Sequence, residues 1–357
     1  MLDNSELVAQ TASRIFRDHA DAQEIILSGN EDWRVALWSA IEGAALPAAF
    51  LTEEQGGFGE TRAEVYAAGF AVLREAGRSA LAVPLAETML AVWLLAQAGM
   101  EAPGGAMSVA PADPRDRIRF REDGSLEGRA RRVPFGMAVD RIAVLASRAG
   151  QRIVALVDPK DCTERVGRSL ALDPTPTLTF DGVQPIAQAP LPDDFDPQDL
   201  MQMGVAARAA LISGALETVL DLSVRYATER VAFGRPIGKF QAVQHMLARL
   251  GGETAAAVSA ACSAADALAT GQPAEALLLE VAAAKIRCGE AAETGTLIAH
   301  QVHGAIGISD EHVLHRYTLR ALAWREDFGG ESHWALALGR AVCASGTDAL
   351  WPLLASR

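Results

Sequence analysis

The hydrophobic period changes twice along the chain, and this change limits the fold more than any other feature. From about residue 5 to 100, and again from Asp199 to the end, apolar residues recur at helical spacing. Between Pro103 and about Pro192, apolar and polar residues alternate in short runs rich in β-branched residues, and turn residues separate these runs. This pattern predicts an α+β protein, mostly α. We expect domains at residues 1–103, 104–195 and 196–357: helical, β and a four-helix bundle.

Periodicity also predicts individual elements. The runs DRIAVLAS and QRIVALVD indicate two strands joined by a turn at Ala149-Gly150, and RIRFRED indicates another strand, followed by a turn at Gly124. Helices are predicted from Asp199 to Thr228, from Phe240 towards Ala269, from Ala274 to His300, and from near Glu311, the last interrupted at Gly329-Gly330.

Composition excludes several classes of partner. The formal net charge of −13 argues against nucleic acid and against an anionic membrane surface. The N-terminal sequence has no signal-peptide pattern, and we expect no apolar run of membrane-spanning length. The 4 cysteines form no CxxC pair, so we expect free thiols in a reducing cytoplasmic setting.

One segment, RVAFGRPIGKFQAVQHMLARL from Arg230 to Leu250, carries the strongest functional signal. A helix is predicted to end near Arg230, a turn to form at Gly234-Arg235-Pro236, and a new helix to begin near Phe240. An arginine beside a tight turn and a fresh helix N-terminus suits an extended anionic cofactor. From spacing alone, a plain helix-turn-helix corner is the alternative.

The full pattern resembles the flavin-binding signature of the acyl-CoA dehydrogenase family. The order of helical, β and helical domains is also that of the family. Two more segments carry the resemblance: LTEEQGGFGE looks like the family's Pro-Glu-x-x-Gly-Gly-x-Gly loop, and QVHGAIGIS, residues 301–309, looks like its Gln-x-x-Gly-Gly-x-Gly segment. The resemblance therefore implies an acyl-CoA dehydrogenase-like fold with FAD as cofactor.

Site residues follow from the resemblance position by position. Arg230 is expected to bind the FAD diphosphate. The residues expected to line the flavin or its adenosine arm are Phe233, Ile237, Phe240 and Gln241. The residues expected to reach the FAD of a neighbouring subunit are Gln301, Gly304 and Gly307. Such sharing implies a dimer or tetramer, formed with itself or with a second acyl-CoA dehydrogenase subunit.

The chain departs from the family where the flavin ring and the catalytic base belong. The β-domain carries MSVAPADPRD and Val133-Pro134-Phe135 in place of the family's flavin-contacting loops. Phe328 falls on the place of the usual glutamate base, and Gly204 falls on the alternative place in the first helix of the C-terminal domain. The neighbouring carboxylates Glu326 and Asp327 are the candidate catalytic residues, unless a partner supplies the base.

The resemblance implies FAD-dependent α,β-dehydrogenation of an acyl-CoA thioester in lipid or steroid catabolism, with an electron-acceptor flavoprotein. The departures favour a supporting subunit of a heteromer. A self-sufficient homo-oligomer, a flavin-free structural subunit and a family member with monooxygenase chemistry stay open. The pairs His300/His303 and His312/His315 could ligate zinc by spacing, but without a supporting motif we expect no metal.

Overall fold

The computed structural model describes residues 4–346, 348 and 350–355, so the outer limits of the predicted domains, residues 1 and 357, lie outside the described residues. The helices are α1 Asn4–His19, α2 Ala22–Ser28, α3 Trp33–Gly43, α4 Arg62–Arg78, α5 Leu85–Gln97, α6 Pro197–Glu229, α7 Gln241–Thr270, α8 Ala274–His303, α9 Leu314–Trp324, α10 Glu331–Ser345 and α11 Leu350–Ala355. The strands are β1 Met107–Ala110, β2 Ile118–Phe120, β3 Leu126–Ala130, β4 Arg141–Arg148, β5 Gln151–Val157, β6 Thr163–Arg165, β7 Thr177–Val183, β8 Ala187–Pro190, β9 Val231–Ala232 and β10 Arg235–Pro236. The predicted α+β, mostly helical fold is confirmed.

The small sheet lies between the two helical regions in sequence. Its strand order is β6-β7-β3-β2-β4-β5-β8, with β1 pairing parallel to β4. The predicted hairpin of β4 and β5 is antiparallel, and its turn residues Ala149 and Gly150 both have positive φ. The central strand β4 is buried on both faces: Val144 joins the core of the β region, whereas Leu145 packs into the core of the helices. Its apolar run is therefore continuous rather than strictly alternating.

Helix α6 is the central element of the helical core. It packs against α4, α7, α8 and α9. Its contact with α4 is close because two glycines lie at the crossing. A Cβ on Gly77 would lie 2.1 Å from the Leu211 carbonyl oxygen, and one on Gly214 would lie 2.0 Å from that of Arg74. Backbone therefore meets backbone at this crossing.

The start of α6 is set by capping. The Asp196 carboxylate accepts a hydrogen bond from the Gln198 N–H (2.8 Å), and the Asp199 carboxylate accepts one from the Asp196 N–H (3.0 Å). This reciprocal cap, with Pro197 at the first helical position, starts the helix two residues before the predicted Asp199.

Two expectations were wrong. Among the described helices, α6 is long and apolar enough to cross a membrane, although no such run was expected; 83% of its most apolar window is buried inside the protein, as in a core helix. The predicted fourth helix does not begin at Glu311, because a 3₁₀ turn over Gly304–Ile308 comes first and α9 begins only at Leu314. The predicted interruption at Gly329-Gly330 separates α9 from α10.

Candidate functional site

The Arg230 segment forms a hairpin at the end of α6. Arg230 caps the helix, and its carbonyl accepts a hydrogen bond from the Ile237 N–H (2.8 Å). Between β9 and β10, Phe233 and Gly234 both take positive φ and form a tight two-residue connection. The turn predicted at Gly234-Arg235-Pro236 was placed too late, because Arg235 and Pro236 pair with β9. The Arg235 guanidinium lies 4.3 Å from the centre of the Phe240 ring. The hairpin is thereby fixed on the first turn of α7.

The side chains of this hairpin face outwards. Phe233 is 95% exposed, an unusual state for a phenylalanine. Arg230 and Gln241 are exposed as well, whereas Ile237 and Phe240 are half-buried. The structure therefore places a guanidinium, an aromatic ring and a glutamine amide on one open surface.

The second predicted segment, residues 301–309, ends α8. Gln301 is exposed, and Gly304 has φ +64 with open space where a Cβ would stand. Gly307 differs, because it is buried and a Cβ there would lie 2.9 Å from the Cβ of His303. Gly304 thus offers open backbone to a ligand, and Gly307 permits the 3₁₀ turn to pack on α8.

These two segments come together at one end of the helical bundle. The ring of Tyr226, one turn before Arg230, stacks on the ring of His303 with centroids 4.5 Å apart. His303 is 3% exposed, and its Nδ1 lies 2.8 Å from the Ala299 carbonyl oxygen. That contact places a proton on Nδ1 and leaves Nε2 as an acceptor, for which no described residue supplies a donor. Burial lowers the pKa of His303, so the ring is neutral.

This end fits the adenosine diphosphate half of FAD. An exposed guanidinium suits a diphosphate, a glycine without neighbours lets backbone approach it, and the buried Nε2 of His303 lacks a donor. Arg230, Gln301 and Gly304 are the residues that would hold it.

The place expected for the catalytic base is filled by packing. The ring of Phe328 is fully buried and lies directly on Gly204, where an added Cβ would be 2.3 Å from Phe328 Cδ1. Phe328 takes φ +55; its N–H donates to the Ala112 carbonyl (3.0 Å), and its carbonyl accepts from Trp334 Nε1 (3.0 Å). The two positions predicted to carry a base are therefore in mutual contact, and neither bears a carboxylate.

A buried charge network surrounds this contact, and the sequence did not reveal it. Arg208, one helical turn after Gly204, is 1% exposed and donates to the carboxylates of Glu87 and Asp327, the latter at 3.0 Å. Lys285 is also buried and donates to the Asp327 carbonyl at 2.6 Å. Burial lowers the pKa of Lys285 to about 8. The sequence held one signal of this network: Arg208 and Glu87 are charged residues within the apolar stretches of α6 and α5, where a buried charge needs a partner.

The two candidate catalytic carboxylates differ in environment. Asp327 is buried, with one oxygen bound to Arg208 and the other 3.6 Å from Arg132. Glu326 is exposed and lies 3.5 Å from Arg132. A carboxylate held by two guanidiniums is poorly placed to accept a substrate proton.

The β-domain face does not fit a flavin ring. Val133 and Phe135 are buried within the protein, and the Pro134 carbonyl accepts the Ser108 hydroxyl (2.6 Å). Pro114 lies directly on the turn that follows Phe328: a Cβ on Gly329 would be 3.3 Å from Pro114 Cγ. A cavity of about 330 Å³ remains beside this turn. Its guanidiniums already face carboxylates, Arg115 binding Asp113, Arg131 binding Asp116, and Arg132 binding Glu326 and Asp327.

The two parts of the predicted site lie far apart. Gly204 and Arg230 are near opposite ends of α6, a single helix of 33 residues. A rise of 1.5 Å per residue separates them by about 39 Å. Arg230 of one chain therefore cannot serve a flavin beside Phe328 of the same chain. The described part of the chain contains no group of three or more His, Cys, Asp or Glu side chains placed to bind a metal ion.

Comparisons with known proteins relate the chain to one family. Residues 198–337 match the model of the acyl-CoA dehydrogenase C-terminal domain. The chain is 28% identical to acyl-CoA dehydrogenase IpdE2 of Mycolicibacterium smegmatis, over 90% of this chain and 93% of that protein. It is 29% identical to IpdE2 of Mycobacterium tuberculosis, over 89% and 91%.

Solved structures give the same result for the fold. A variant of the Tcur3481-Tcur3483 steroid ACAD superposes with a TM-score of 0.81 at 25% identity, covering 96% of this chain and 98% of that one. The ChsE4-ChsE5 complex from Mycobacterium tuberculosis superposes with a TM-score of 0.79 at 23% identity, covering 95% and 97%.

Proposed function

We propose that this chain, a member of the acyl-CoA dehydrogenase family, works as the supporting subunit of a hetero-oligomer. In this proposal a catalytic partner subunit carries the flavin ring and the base. The present chain contributes its Arg230 end to the diphosphate of the FAD held there. The proposed domain limits remain residues 1–103, 104–195 and 196–357.

The contact between Phe328 and Gly204 carries this proposal. A general base needs a carboxylate that reaches the reacting proton, and at both expected positions the side chain is apolar or absent. Removing a general base typically lowers the rate by about 10²–10⁴-fold. The ion pairs of Arg208 occupy the interior next to this contact, so Asp327 is already engaged.

The opposite end of α6 supports a role in cofactor binding. FAD supplies the redox step, since it accepts hydride from the acyl chain when bound. Arg230 would bind the diphosphate, Gly304 would let backbone approach it, and Phe233 would cover an aromatic part of the cofactor. Because this end lies about 39 Å from Gly204 along α6, the flavin ring must belong to another subunit.

Two neighbours support the heteromeric assembly. The ChsE4-ChsE5 complex and the Tcur3481-Tcur3483 steroid ACAD each pair two named chains and share this fold. We propose by analogy a second, longer acyl-CoA dehydrogenase subunit, an acyl-CoA thioester as substrate in lipid or steroid catabolism, and a flavoprotein as electron acceptor.

The test compares the purified chain with its complex. The chain alone is assayed for flavin absorbance and for acyl-CoA dehydrogenation with ferrocenium as acceptor. It is then co-expressed with a longer acyl-CoA dehydrogenase subunit from the same organism, one that carries an intact carboxylate base. We expect almost no turnover from the chain alone, and turnover with one FAD per pair of unlike chains in the complex.

Other outcomes identify the alternatives. Robust turnover by the isolated chain that is lost in Glu326→Gln or Asp327→Asn would establish a self-sufficient enzyme and name its base. An active complex whose flavin content is unchanged by Arg230→Ala would make this chain a flavin-free structural subunit.

A further inference from the structure

A second cavity lies beside the contact between Phe328 and Gly204, since Met203 and Trp334 line it, and away from the Arg230 hairpin. Its volume is about 1030 Å³, and it is enclosed by α4, α5, the start of α6, the turn between α7 and α8, and the start of α10. Such a volume is in the upper range of small-molecule sites in proteins.

Aromatic side chains form much of its wall. Tyr66 and Trp93 are joined by a hydrogen bond from the indole Nε1 to the phenol oxygen (2.9 Å), so both polar tips are satisfied and the ring faces remain apolar. Trp334 is fixed by its bond to the Phe328 carbonyl. The other large apolar residues of the wall are Phe50, Phe195, Met203 and Leu268. Rings held in this way suit a flat or polycyclic ligand.

One polar side chain of the wall lacks a partner. Gln202 is 8% exposed, and its amide borders the cavity without a hydrogen-bond partner among the residues that the structure describes. An amide at a cavity wall that bonds no protein group leaves its donors and its acceptor free for a ligand. Gln97, half-buried, adds another amide to the wall. A ligand carbonyl or hydroxyl would satisfy these groups.

The charges at the cavity select against anions. Asp194, Asp196 and Asp199 line it, and Arg62 is the cation among the lining residues. Arg62 lies over the Tyr66 ring, 5.1 Å from its centre. His333 is also at the edge, and burial lowers its pKa, so it adds no positive charge at neutral pH. The net negative charge disfavours phosphates and carboxylates.

We propose that this cavity binds a neutral, ring-containing ligand whose carbonyl or hydroxyl group accepts a hydrogen bond from Gln202. This proposal does not depend on the acyl-CoA and FAD chemistry of the proposed function. Its test uses neither flavin nor turnover, so either idea can fail without the other.

Three related probes separate the contributions of rings, hydrogen bond and charge. They are 9-fluorenone, a neutral ketone; fluorene, which lacks the oxygen; and fluorene-9-carboxylate, an anion. Each is titrated into the full chain while tryptophan fluorescence is followed, since Trp93 and Trp334 line the cavity. We expect fluorenone to bind most tightly, fluorene several-fold more weakly, and the carboxylate weakest of the three.

Variants locate the binding. Gln202→Leu keeps the approximate volume and should weaken fluorenone about five- to tenfold, the loss of one hydrogen bond, while leaving fluorene unchanged. Gln10→Leu, at an exposed helical glutamine, is the matched control and should change neither. Tryptophan emission and thermal unfolding of each variant check folding before titration. Absent fluorenone binding, equal affinity of wild type and Gln202→Leu for fluorenone, or preference for the carboxylate would overturn the proposal.

Discussion

The ring of Phe328 lies on Gly204, so closely that a Cβ at position 204 would stand 2.3 Å from Phe328 Cδ1. The glycine provides the space that the aromatic ring fills, and the two residues depend on each other. Each occupies a place where a catalytic carboxylate was sought. The same contact therefore both closes the interior and removes the expected base.

Gly204→Ala should destabilise the protein. The added methyl group overlaps the buried Phe328 ring, which is held by backbone hydrogen bonds on both sides and cannot move freely. Overpacking of this kind costs about 1–3 kcal/mol. Urea unfolding measures the loss. The matched control is Gly252→Ala, on the exposed side of α7 with no atom within 4 Å of the new Cβ. It should be neutral or stabilising by up to about 1 kcal/mol; equal effects in the two variants would contradict the packing argument.

The Arg208 network makes a second prediction. Arg208→Met leaves the carboxylates of Glu87 and Asp327 buried without their guanidinium. Breaking a buried ion pair from one side costs about 3–5 kcal/mol. Arg17→Met, which removes an exposed pair with Asp18, should cost less than about 1 kcal/mol.

The double variant Glu87→Gln with Arg208→Met sharpens this test, again by urea unfolding. It removes one of the stranded charges, so it should be more stable than Arg208→Met alone. If Arg208→Met proves as mild as Arg17→Met, the network is not energetically coupled.

Sequence patterns predicted the long elements and missed the long-range contacts. The apolar period over α6, α7 and α8 is sustained for about 30 residues each, and the Ala149-Gly150 turn has the residues its geometry needs. The start of α9 was missed because the 3₁₀ turn after Gly304 has no distinct period. The ion pairs of Arg208 join α5, α6 and the turn after α9, and no local pattern reports pairing over such separations.

Only part of the candidate site was predicted, because local sequence patterns do not report contacts between residues that are far apart in the chain. Arg230, Phe233 and Gln241 share one short segment, so their exposure together on a turn followed from local sequence. Gln301 and Gly304 lie near this segment only because α6 and α8 pack side by side. The contact between Gly204 and Phe328 required the tertiary fold.

Lys285 should make stability depend on alkaline pH. Burial lowers its pKa from 10.5 to about 8 in the folded protein, so between these values the unfolded chain binds more protons. Its contribution is therefore least favourable below pH 8 and improves as pH rises towards 10.5. Relative to Lys285→Met, the wild type should gain on the order of 1–3 kcal/mol between pH 7.5 and 10.

Urea unfolding of both proteins at several pH values in that range measures this difference. The comparison cancels titrations that the two proteins share, including those of tyrosines and cysteines. A constant difference across the range would mean that Lys285 keeps its ordinary pKa in the folded protein.

Arg230→Ala should weaken FAD retention more than Arg225→Ala does. Both arginines are exposed near the end of α6, so the two variants lose the same charge and alter the long-range field similarly. Of the two, only Arg230 belongs to the hairpin with Phe233, whereas Arg225 lies earlier on α6, near His312, whose pKa is lowered by burial first and by this guanidinium second. The loss of a charge-assisted hydrogen bond to a diphosphate costs about 1.5–3 kcal/mol, or roughly 10- to 150-fold in affinity.

The measurement is the flavin content of the purified flavin-containing assembly, followed by FAD titration of the apoprotein. Retention lowered in Arg230→Ala and preserved in Arg225→Ala supports a direct contact. If both variants lose FAD equally, the arginines act only through net charge; if neither does, the Arg230 end does not bind the cofactor.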